Sequence, residues 1–103
     1  MKLTNVFTHH VHFWLKDKAD TAKLLEGLNS LAAIDHAKQI HIGVPADTHG
    51  GAVDDSFDAS LFTIFDDLAG HDAYQIDPIH QEFLEKIARP LCAKVVVYDS
   101  IDA

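Results

Sequence analysis

The chain has 103 residues, 48% of them hydrophobic, with 16 acidic against 8 basic side chains and a formal net charge of −8. This length and apolarity fit one compact domain over residues 1–103 and exclude a disordered chain. The negative charge, with no Lys/Arg cluster to offset it, argues against nucleic-acid phosphates and anionic membranes as partners.

In chain order, Thr8, His9, His10 and His12 interrupt the N-terminal apolar residues, so no leader-like apolar run forms. The single Cys92 can form no internal disulfide, and both features fit a cytoplasmic protein. Residues 6–15 alternate, with Phe7, His9, Val11, Phe13 and Leu15 on one face and His10, His12 and Trp14 on the other, which predicts a strand. Asp17 or Asp20 can cap a helix in which Leu24, Leu25, Leu28, Leu31 and Ala32 form an apolar stripe ending near Ile34. Ile40, Ile42 and Val44 alternate with polar residues in a second strand that Pro45 terminates. Pro45–Phe57, rich in Asp, Gly and Pro, reads as a long polar loop at the rim.

Ala59–Phe65 predicts a third strand, with Leu61 and Phe65 on one face and Phe62 and Ile64 on the other. Asp66 and Asp67 then lead into a helix that breaks at Pro78, resumes through Phe83, Leu84 and Ile87, and ends before Pro90. Cys92–Tyr98 supplies a β-rich last strand, with Cys92 read as a buried small hydrophobe. The order β-α-β-β-α-β is the ferredoxin-like arrangement, an α+β fold with a four-stranded antiparallel sheet and both helices on one face. The other face would expose Trp14 and Phe62. A second copy of the same sheet is its simplest cover, which predicts a homodimer with a barrel-like core.

Three features could carry chemistry. In "YQIDPIH" (residues 74–80), Asp77 is a favoured cap and Pro78 a favoured first helical residue, so the pair accounts for the bend, while Tyr74 and His80 flank it. At the positive end of a helix His80 tends to neutrality, unless an inward Asp77 opposes this. It could then act as a base, with the Tyr74 hydroxyl donating to an oxyanion; structurally, both could instead pack with their polar atoms satisfied. His10 and His12 share a strand face and could hold a metal if His41, His36 or a partner subunit supplied a third ligand. Two alternating histidines are unspecific, a polar layer at the dimer interface accounts for them more simply, and no metal is expected. Asp47, Asp54, Asp55, Asp58, Asp66 and Asp67 read as a solvated acidic rim. Gly50-Gly51 precedes no helix signature, so no cofactor is expected.

"HHVHFWLKD", "LLEGLNSL", "HIGVPA", "YQIDPIHQEF" and "KVVVYDS" together resemble the stress-responsive A/B-barrel (Dabb) domain family over nearly the whole chain. That resemblance implies a homodimeric ferredoxin-like α/β barrel. In similar plant polyketide cyclases a Tyr and a His, spaced as Tyr74 and His80, meet a first-strand His in a pocket between sheet and helices. The resemblance puts that His on His9, or one position over on His10, and implies that Val11, Phe13 and Leu61 line the pocket with it. The chain departs from the pattern in having Asp77 three residues after the Tyr, where His is common, and Ala59 where the plant enzymes carry a third-strand His. Two functions follow as expectations. One is a protein binding a small apolar or carbonyl-bearing molecule. The other is a cofactor-independent enzyme, cyclase-like or isomerase-like, with His80 as base and Tyr74 as hydrogen-bond donor.

Overall fold

Strict alternation over nine residues makes the first strand, β1 (Phe7–Leu15), in the computed structural model, which describes residues 1–103. Phe7, His9, Val11, Phe13 and Leu15 are buried on one face, while Thr8, His10, His12 and Trp14 are half-buried on the other. Asp17 accepts from the Ala19 N–H at 2.9 Å and opens a short turn, Lys18–Asp20, that feeds α1 (Thr21–Ser30). A tighter turn at Leu31–Ala33 carries the helical path to Ile34, where the apolar stripe predicts its end. β2 (Gln39–Gly43), β3 (Ala59–Phe65) and β4 (Cys92–Ile101) complete a sheet of order β2-β3-β1-β4. Every pairing is antiparallel, so this is the ferredoxin-like α+β fold.

The second helical stretch is in pieces. Asp67 caps α2 (Leu68–Ile76) by accepting from Gly70 N–H at 2.9 Å, and Asp77 caps α3 (Pro78–Phe83) by accepting from Ile79 N–H at 2.8 Å. The sequence ends this stretch before Pro90, and here the structure differs. Leu84–Ala88 widen into a π turn, in which the Arg89 N–H bonds the Leu84 carbonyl, and α4 (Arg89–Leu91) carries Pro90 into β4. A proline lacks the N–H of a regular turn and crowds the carbonyl four residues back; a widened turn relieves both conflicts.

One hydrophobic cluster joins Val11, Phe13, Leu61 and Phe65 of the sheet to Leu24, Leu28, Tyr74 and Phe83 of the helices. α1 crosses the π turn closely at Gly27, where a Cβ would stand 2.9 Å from two carbons of Ile87. The far face of the sheet is less bare than expected. The end of the polar loop folds onto it, with Phe57 packed on His12 at 4.7 Å between ring centroids and Trp14 Nε1 donating to Ser56 Oγ at 3.0 Å. Asp58 likewise leaves the predicted solvated rim. Its carboxylate accepts from Leu15 N–H at 2.7 Å and from Lys18 Nζ at 2.6 Å, and its side chain is 9% exposed. Burial works to raise its pKa, and the bonds from Lys18 and Leu15 outweigh it, holding the carboxyl below the usual range. Cys92 is half-buried, because β4 is an edge strand that the helices cover only in part. No helix is long and apolar enough to cross a membrane.

Candidate functional site

The break at Asp77-Pro78 creates the site's first feature. In a continuous helix the Ile79 N–H would serve the Gln75 carbonyl, but Asp77 holds that N–H instead. His80 Nδ1 takes up the freed carbonyl at 3.1 Å, and the Gln81 side-chain amide adds a second bond at 2.7 Å. A carbonyl only accepts, so Nδ1 carries the proton and Nε2 keeps its lone pair. Burial lowers the His80 pKa below 6.5, assisted by His9 and His71; the Gln75 bond and Asp77 pull upward and do not prevail. The predicted opposition from Asp77 is weak because its carboxylate is committed to the cap.

Tyr74, one turn earlier, is fully buried, with its ring 4.8 Å from that of His80, 5.2 Å from Phe65 and 6.4 Å from His9. The sequence allows a packed Tyr74 with its hydroxyl satisfied. The ring is packed, but the hydroxyl has no hydrogen-bond partner in the protein. Burial pushes its pKa well above the ordinary phenol value. Leaving such a group unpaired costs about 1–3 kcal/mol.

Between the sheet and the broken helix lies a cavity of about 310 Å³, within the range of small-molecule pockets. His9, Val11, Phe13 and Leu61 form its floor, His80 and Phe83 its helical wall, and Val95 and Val97 its open side. The structure therefore brings together five of the six residues singled out in the sequence, while Tyr74 stands behind the wall against His80. On the first strand His9 faces the cavity, whereas His10 pairs with Phe62 on the opposite face at 5.1 Å.

His9 Nδ1 lies 2.5 Å from Asp99 Oδ1, its cross-strand partner on β4. Burial depresses the His9 pKa, and the bond to Asp99 recovers only part of the shift. The imidazole is thus neutral, donates Nδ1–H to the carboxylate and keeps a lone pair on Nε2. His71, on α2, packs its ring 5.2 Å from that of His9. Neither Asp99 nor His71 stood out in the sequence. His71 could have been found as the residue three before Tyr74, on the same helix face; Asp99 needed the β1–β4 register. His10 and His12 stack at 4.5 Å, but neither belongs to a group of three metal-capable side chains, and His36 approaches Asp77 instead.

A family model described as the stress responsive A/B barrel domain matches residues 7–102. The chain belongs to that family. Solved structures share the domain's fold at low sequence identity. A Dabb family protein with a ferredoxin-like fold from Mesorhizobium loti is 20% identical with a TM-score of 0.79, covering 95% of this chain and 97% of its own. A dimeric ferredoxin-like protein of unknown function from Thermobifida fusca is 23% identical with a TM-score of 0.76, covering 99% and 95%. The hydroxynitrile lyase of Passiflora edulis is 22% identical with a TM-score of 0.74, covering 98% and 96%. No curated protein matches this chain in sequence.

Proposed function

We propose that this A/B-barrel domain is a homodimeric binding protein for a small, largely apolar, carbonyl-bearing molecule held between sheet and helices. The observation that carries it is the pairing of an apolar cavity with two neutral imidazoles on its wall, His80 and His9, each with its Nδ1 proton committed elsewhere. Of the sixteen lining residues eleven are hydrophobic, which favours an apolar body; the two imidazoles suit a single polar end. The volume, about that of ten water molecules, suits a compound of benzylacetone size. Dimerisation through the sheet face opposite the helices would cover Trp14, Phe62 and Tyr98, and the Thermobifida fusca neighbour is described as dimeric.

A second reading, cofactor-independent catalysis, has one observation in its favour: a neutral imidazole packs on the ring of a tyrosine whose hydroxyl has no partner, which puts a base and a donor in one neighbourhood. His80 Nε2 would take a proton from the carbon next to the carbonyl, and the Tyr74 hydroxyl would hydrogen-bond the resulting enolate oxygen once its side chain turned from behind the wall into the cavity. The neighbour named as a hydroxynitrile lyase shows that this fold accommodates an enzyme.

Calorimetric titration with benzylacetone tests the binding reading. The wild type binds and His80→Ala weakens binding at least about tenfold; equal affinity in both removes His80 from the site. Deuterium exchange at the carbons next to the ketone, followed by proton NMR, tests catalysis. Turnover lost in His80→Ala and reduced in Tyr74→Phe supports an enzyme, and exchange no faster than in buffer leaves a binder.

A further inference from the structure

His9, His71 and Asp99 come from β1, α2 and β4, and each offers one ligand atom such that the three atoms lie within 4.8 Å of one another. We propose that these side chains form a site for a divalent transition metal at the His9 wall of the cavity. Two imidazoles and one carboxylate are a donor set for zinc, iron(II), cobalt or nickel, and three protein ligands leave positions open for solvent or a ligand atom.

The surroundings suit an ion. His9 is 5% exposed and Asp99 faces it at 2.5 Å, so a nitrogen and an oxygen already converge; a metal would replace their shared proton and spread the pair to about 3 Å. Phe7 and Phe65 hold the His71 ring, at 4.6 and 5.6 Å between centroids, and fix it beside His9 without giving it a strong hydrogen bond. Its own polar neighbours are the adjacent Asp72 carboxylate at 3.1 Å and the Gln75 amide at 3.4 Å. No lysine or arginine pairs with Asp99, so the carboxylate is free to take a cation. The apolar rings lower the local dielectric and strengthen each metal–ligand attraction. The site itself requires no organic ligand and stands apart from the binding reading.

The test uses the untagged full chain, stripped with chelator and titrated with Zn²⁺ and with Co²⁺ by calorimetry, with visible absorption following the cobalt. One ion per chain is expected, with His71→Ala and Asp99→Asn each weakening it at least about tenfold. His49→Ala, at a histidine that lies beside Asp47 and Asp55 in the polar loop, and the double variant His10→Ala/His12→Ala should leave binding unchanged. Zinc should also raise the melting temperature of the wild type and not that of Asp99→Asn, a substitution at a partly exposed position that spares the core. Failure of both metals to bind overturns the proposal, as does binding that survives His71→Ala and Asp99→Asn or disappears in either control variant.

Discussion

Tyr74 has a hydroxyl with no partner while its ring is packed against Phe65 and His80. Its replacement should therefore raise the stability of the domain. Tyr74→Phe keeps the ring and removes the unpaired group, so the domain should gain about 1 kcal/mol, read as a higher urea midpoint. A loss of stability would mean that the hydroxyl has a partner in solution and is not held in reserve. At this scale the sequence was partly legible. Tyr74 and His80 are conspicuous because a proline separates them, and alternation puts His9 on the buried face of β1. The state of the hydroxyl and the Asp99 bond depend on groups distant in the chain, and spacing carries no information about them.

Among the elements, the broken helix gives the cavity its wall. Asp77 takes the Ile79 N–H, the Gln75 carbonyl passes to His80, and the π turn lets the chain absorb Pro90 before β4. α1 braces this stretch at Gly27. Gly27→Ala would push a methyl against Ile87, whose carbons lie 2.9 Å from the added atom, and should cost about 1–3 kcal/mol; thermal unfolding reads the loss. Asp58→Ala strips the Leu15 N–H of its acceptor and should cost about 1–3 kcal/mol by the same measurement. The strands and the first helix follow from periodicity and Asp caps, and so were readable. The π turn was not, because a proline inside a helical pattern normally marks an end and the compensating bond lies five residues back. Nor was Asp58, whose partners Leu15 and Lys18 lie 43 and 40 residues away.

For the whole molecule, two properties follow from the sheet and the buried imidazoles. The face opposite the helices carries Trp14, Phe62, Val96 and Tyr98, with Lys94 Nζ 4.6 Å over the Trp14 ring. Phe62→Asp should convert the proposed dimer to monomer in sedimentation velocity; a dimer that persists would put the interface elsewhere. The pH dependence rests on His80, which is faced by His9 from β1, His71 from α2 and Asp77 from the cap. Burial holds its folded pKa below the 6.5 of an unfolded chain, so the stabilisation is complete above 6.5 and is lost as the pH falls from there through the folded value. The urea midpoint should be lower at pH about 5.5 than at about 7.5, and His80→Gln should reduce the difference, with His9 supplying part of the remainder.

The most direct measurement is a nitrogen-15 NMR spectrum of the imidazoles with and without saturating benzylacetone. The structure predicts His80 and His9 protonated on Nδ1 and bare on Nε2 in the free protein, with both Nε2 signals moving when the ketone enters the cavity. A His80 protonated on Nε2, or two imidazoles indifferent to the ketone, would contradict the account.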